Sequence, residues 1–230
     1  MNYFFLILLA VAPTIALAAF ILLHDRYDKE PFSLLIKVFF FGMLCTIPTM
    51  LVEIGLLRFN FFGGIVGAAI QAFIIVGFTE EFFKRMVVRR RALYHFAFNE
   101  KLDGIVYCSI ASLGFATVEN VFYVLTYYSH EPTIWITRAF LSVPTHMLLG
   151  IIMGYFLSEF KYCGDPTRAP QLYRRALYVP ALLHGAFDFI LMAGFSFYIY
   201  LLIPLVVFLW VFGMILLRKY YKESKAQHGY

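Results

Sequence analysis

Long apolar runs alternate with short polar connections along the whole chain. A helix that crosses a bilayer needs about 20 predominantly apolar residues at ~1.5 Å rise each. Runs of that kind occupy 3–23, 34–57, 62–82, 104–127, 134–158, 175–195 and 197–217. Polar linkers fall at His24 to Ser33, Arg85 to Asp103, Tyr128 to Thr133 and Glu159 to Arg174. The pattern predicts an all-α, polytopic membrane bundle of about seven transmembrane helices, a single integral membrane domain over 1–230. No internal repeat or low-complexity tract interrupts it.

Charge sets the expected orientation. With alternating spans, 17 of the 19 Lys and Arg residues fall on one side, leaving Arg58 and Arg138 on the other. Basic connections stay in the cytoplasm, so the N-terminus is expected outside and the C-terminus in the cytoplasm, as a multi-pass protein of the cell membrane. An even number of spans would scatter that bias. Ala16-Leu17-Ala18 has the small-x-small form of a cleavage site, but no basic residue precedes the run, which continues to Leu23 as a full span.

Composition narrows the classes. With 62% hydrophobic and 14% charged residues, the chain is too apolar for disorder and too poor in polar surface for a soluble domain. The basic residues are accounted for by orientation in the lipid bilayer, so no nucleic-acid partner is expected. Three widely spaced cysteines make neither a disulfide framework nor a metal motif.

Ionisable side chains within spans are costly and mark function or interhelical bonding. Glu80 and Glu81 stand at the end of the third run, with Lys84 and Arg85 at i,i+4 from each; either a pair of ordinary ion pairs or a reactive carboxylate beside a held one fits. Glu119, followed by Asn120, lies deep in the fourth run with no basic residue within four positions. His146 is near the middle of the fifth. His184 and Asp188 are one turn apart in the sixth, where an Asp can orient a His. Glu53 is expected to snorkel toward Arg58.

The order Glu80-Glu81-x-x-Lys84-Arg85, Gly114-Phe115-x-x-x-Glu119-Asn120, a membrane His, then His184-Gly185-x-x-Asp188 resembles the PrsW family of bacterial intramembrane proteases. Asp25-x-Tyr27-Asp28-x-Glu30-Pro31 and Leu102-Asp103-Gly104 are similar to that family too, and the resemblance spans roughly 10–215. The family in turn resembles type II CAAX-processing and bacteriocin-processing proteases, from which position 119 departs, Glu standing where they have His. The resemblance implies a peptidase acting on a single-span membrane protein, an anti-sigma factor, whose first cut primes a second protease.

Chemistry and resemblance together make Glu80 the expected general base, Glu81 a positioning group acting through Arg85, and His184, set by Asp188, a donor to the oxyanion. Glu119 and His146 are candidates for water positioning or proton donation, with Asn120 in support. The expected cofactor is none. The alternative is zinc held by Glu80, Glu119, His146 and His184. An ion or proton transporter and a non-catalytic membrane scaffold are the competing classes. One mismatch stands: counted along ideal helices, Glu80 and Glu119 lie at different depths unless the fourth span starts deeper or, as expected, the third helix runs on from Gly63-Gly64 through Arg91.

Overall fold

The computed structural model of the chain describes residues 3–229 apart from 128–130 and 132. The linker expected at Tyr128 to Thr133 therefore falls largely outside the described residues. Among the described residues, seven helices are long and apolar enough to cross a membrane: α1 (Tyr3–His24), α2 (Phe32–Leu57), α3 (Gly64–Arg91), α4 (Lys101–Tyr127), α5 (Ile134–Lys161), α6 (Ala169–Met192) and α7 (Tyr198–Gln227). The count matches the expectation, while several ends differ, α6 beginning at Ala169 rather than 175 and α5 ending at Lys161 rather than 158. α3 runs on to Arg91 and α7 to Gln227, because charged residues do not end a helix; α6 stops at Met192 before Gly194, whose φ of 71° no continuing helix would hold.

α4 and α5 form the centre, with 78% of each apolar window buried against 22% for α1 and 28% for α2 and α7. Hydrophobicity does not drive helix association in lipid, so close contact depends on small residues that let backbones approach. Gly104 and Gly154 serve this purpose: a Cβ on either would lie within 2.7 Å of the other's carbonyl oxygen.

Three local irregularities shape the site. Pro48 cannot donate to the carbonyl four residues back, and α2 breaks at Cys45 into Phe32–Leu44 and Thr46–Leu57. The first half packs closely on α4, while the second half leans away and leaves a gap. α3 carries a π-helical stretch, Ile70–Gly77, closed by the Phe78 N–H donating to the Phe73 carbonyl. α5 carries another, Arg138–Ser142, where Val143 N–H donates to the Arg138 carbonyl just ahead of Pro144. Wide turns of this kind re-aim the side chains that follow, here Glu80 and Glu81 on α3 and His146 on α5.

Candidate active site

Glu80, Glu81 and Lys84 lie on the face of α3 that meets α4, α5 and α6. Gly77 makes this possible: its Cβ, were there one, would sit 2.8 Å from both Ala181 O and Gly185 N of α6. The two backbones touch there, which brings His184 against Glu81, with 2.9 Å between Nδ1 and Oε1.

Lys84 is fully buried and its three protons are spent. Nζ donates to Glu80 Oε2 at 3.0 Å, Glu81 Oε1 at 2.8 Å and His146 Nδ1 at 2.9 Å, and it lies 4.3 Å from the centre of the Phe115 ring. An ammonium has no acceptor, so His146 Nδ1 must accept and Nε2 must carry the proton. That proton is donated to Glu119 Oε2 at 2.8 Å. Glu119 also pairs with Arg138 at 3.1 Å, whose Nε donates to Asn120 Oδ1 at 2.9 Å. Asn120 in turn donates to the Ala10 carbonyl at 2.7 Å, tying α1 to α4. On the other flank, His184 Nε2 lies 3.5 Å from Asp188 Oδ2 and 3.8 Å from Glu80 Oε2.

Six expected site residues, Glu80, Glu81, Glu119, His146, His184 and Asp188, are thus linked into one chain of contacts from four helices. The depth mismatch is resolved as expected by the continuation of α3 through Arg91, and by His146 and Lys84, which bridge Glu119 to Glu80. Two expectations are corrected. Arg85 does not hold Glu81; it turns to α6, donating to the Tyr173 carbonyl at 3.0 Å and stacking on the Tyr173 ring, since it lies ~100° round the helix from Lys84. Glu53 does not pair with Arg58 among the described residues; it lines the cavity beside the site, its Oε1 buried without a hydrogen-bond partner. Lys84 and Arg138 are the site members that the sequence reading left out. The Glu80–Lys84 spacing was a signal for the first; nothing local pointed to the second, 19 positions from Glu119.

The gap left by the second half of α2 is a cavity of about 530 Å³ lined by Glu53, Glu80, Glu119, Tyr123 and Asp188. Glu80 therefore reaches the cavity while Glu81, wholly buried, stands behind it. The rim includes Ile47, Met50 and Phe122, each half or more exposed on the bundle surface that lipid would cover.

Glu80, Glu81, His146 and His184 each offer one donor atom within 4.8 Å of the others. Glu81 takes the place in this set that Glu119 had in the expected zinc ligands, because Glu119 is drawn off by Arg138. Two carboxylates and two imidazoles suit a tetrahedral zinc ion in kind and number. The Lys84 ammonium engages three of the same four side chains, so it and a metal would compete for them.

The model of the family described as PrsW family intramembrane metalloproteases matches residues 30–214. The chain belongs to the PrsW family. It is 39% identical over 211 residues to the Protease PrsW of Bacillus subtilis (strain 168), covering 92% of this chain and 93% of the relative. Identity to the Protease PrsW of Clostridioides difficile (strain 630) is 37% over 221 residues, covering 96% and 93%, and to that of Shouchella clausii (strain KSM-K16) 34% over 214 residues, covering 93% and 96%. No solved structure matches the chain. Membership of the PrsW family makes this chain an intramembrane peptidase.

Proposed function

We propose that the chain cleaves a single-span membrane protein, an anti-sigma factor by family resemblance, using a water activated by Glu80. It does so in the cell membrane, with its N-terminus outside and its basic end in the cytoplasm. The observation that carries the reading is the position of Glu80: on the cavity wall, backed by Glu81 and Lys84. Water in the cavity gives a proton to Glu80 as its oxygen attacks the scissile carbonyl carbon. His184, held at Nδ1 by Glu81 and flanked at Nε2 by Glu80 and Asp188, donates to the oxyanion, a contribution of about 3–4 kcal/mol in comparable sites. The proton is then returned to the leaving amine as the C–N bond breaks. Glu119 and Arg138 hold His146, which fixes Lys84 from the far side. The cavity rim at Ile47, Met50 and Phe122 supports entry of the substrate from the lipid between α2 and α4.

A second reading has one observation in its favour, the four donors within 4.8 Å, together with the family's description as metalloproteases. Glu80, Glu81, His146 and His184 would hold the ion with the Lys84 side chain displaced. A zinc ion bound there would supply Lewis-acid polarisation and an acidified water.

Glu80→Gln and Glu81→Gln, co-expressed with a tagged single-span substrate, are expected to lose cleavage by at least ~10²-fold at unchanged membrane abundance. Cleavage that survives Glu80→Gln removes the general-base assignment. Elemental analysis of active purified protein separates the two readings: stoichiometric zinc displaces the metal-free one.

A further inference from the structure

A second set of buried carboxylates lies far from the active site. Asp103, at the start of α4, is 16 positions before Glu119, or about 24 Å along the helix. Around it stand Asp25 and Glu30 from the connection between α1 and α2, and Glu100 just before α4. All four are at least nine-tenths buried.

Their oxygens divide into two kinds. One oxygen of each Asp is fixed by backbone: Asp25 Oδ2 accepts from the Glu30 N–H at 2.9 Å, and Asp103 Oδ2 accepts from the N–H groups of Asn99 and Glu100, each at 2.7 Å. Tyr107 donates its hydroxyl to Glu30 Oε2. The other oxygens, Asp25 Oδ1, Asp103 Oδ1 and both of Glu100, are buried with no hydrogen-bond partner. One oxygen from each of Asp25, Glu100 and Asp103 falls within 4.8 Å of the other two. Among the described residues, no Lys or Arg lies within 4.0 Å of any of the four carboxylates; His228 Nδ1, 4.0 Å from Glu100, is the only basic group at that limit. Lys161, the nearby lysine, donates to the Phe98 carbonyl and lies over its ring, and its charge reaches Asp103 and Glu30 only from beyond 4.0 Å.

Carboxylates crowded in low dielectric without a counter-charge in contact are costly. Backbone N–H groups holding one oxygen while the other faces an acidic centre is how outer partners orient ligands for a metal. An all-oxygen anionic set suits a hard divalent cation rather than zinc.

We propose that Asp25, Glu100 and Asp103, with Glu30 beside them, bind a hard divalent cation of the Ca²⁺ or Mg²⁺ class that clamps the α1–α2 connection to the start of α4. The site is structural and independent of the proteolytic centre.

The test uses the full-length protein, purified in detergent and stripped with EDTA. Millimolar Ca²⁺ or Mg²⁺ is expected to raise its thermal midpoint by about 5 °C, and one Mn²⁺ per chain is expected by electron paramagnetic resonance. Glu100→Gln, which keeps the side chain's size and removes its charge, is expected to abolish both. It should be more stable than the parent in EDTA, where a repelling charge is gone, and less stable in Ca²⁺ or Mg²⁺. Glu80→Gln is expected to keep both effects, which separates this site from the catalytic donors. Failure of the stripped protein to bind Mn²⁺ overturns the proposal, and so does a cation response in Glu100→Gln equal to that of the parent. A single Mn²⁺ lost in Glu80→Gln but kept in Glu100→Gln overturns it as well, assigning the ion to the active site.

Discussion

Lys84 Nζ donates to His146 Nδ1 across 2.9 Å, and this bond joins the two halves of the candidate active site. On one side are Glu80, Glu81 and His184; on the other, Glu119, Arg138 and Asn120. The bond also fixes the His146 tautomer, because the ammonium cannot accept. A lysine so placed neutralises paired carboxylates that would otherwise repel each other in lipid.

Removing that charge should be expensive. Lys84→Met takes the ammonium away from two buried carboxylates, leaving them His184 alone, and is expected to cost about 3–5 kcal/mol. Lys84→Met combined with Glu81→Gln should cost less than the sum of the two, by a coupling of about 1–3 kcal/mol. Reversible unfolding of the four proteins in mixed detergent measures the cycle, and simple additivity would refute the ion pair.

Arg138 acts on the site through Glu119 and Asn120. Arg138→Met is expected to lower kcat about tenfold with KM little changed. Arg138→Lys should restore part of that loss, since lysine keeps the charge but cannot make the forked contact to both residues. A variant that only loses stability, with kcat per folded molecule intact, would make Arg138 a packing residue.

The Gly77–Gly185 contact sets how closely α3 and α6 approach. Gly77→Ala drives a methyl to 2.8 Å from Ala181 O and Gly185 N and is expected to destabilise by about 1–3 kcal/mol, with cleavage falling alongside. Gly55→Ala, with open space around it, should change stability by less than ~0.5 kcal/mol. Equal thermal midpoints for the two variants would count against the close approach.

Met50 stands on the cavity rim. Met50→Trp is expected to reduce cleavage of a membrane substrate about tenfold or more by narrowing the opening, leaving the thermal midpoint within ~2 °C. Met50→Ala should cleave normally. If the Trp variant cuts at the parent rate, the substrate enters elsewhere.

Apolar length is a local property, so the seven spans could be read from the residues alone, and so could the inward-facing acids and imidazoles, because lipid tolerates them almost nowhere else. The continuation of α3 through Arg91 followed from needing Glu80 and Glu119 at compatible depth. What each polar group pairs with was a different matter. Glu81 chose Lys84 over Arg85, Glu119 found Arg138 on another helix, and Glu53 faced the cavity rather than Arg58. Those outcomes depend on helix rotation and separation, which are set by the π-helical turns before Phe78 and Val143, the break at Cys45 and the Gly77–Gly185 contact. None of these leaves a periodic trace in a single sequence: partners across an interface are selected by distances that exist only once the backbones have met.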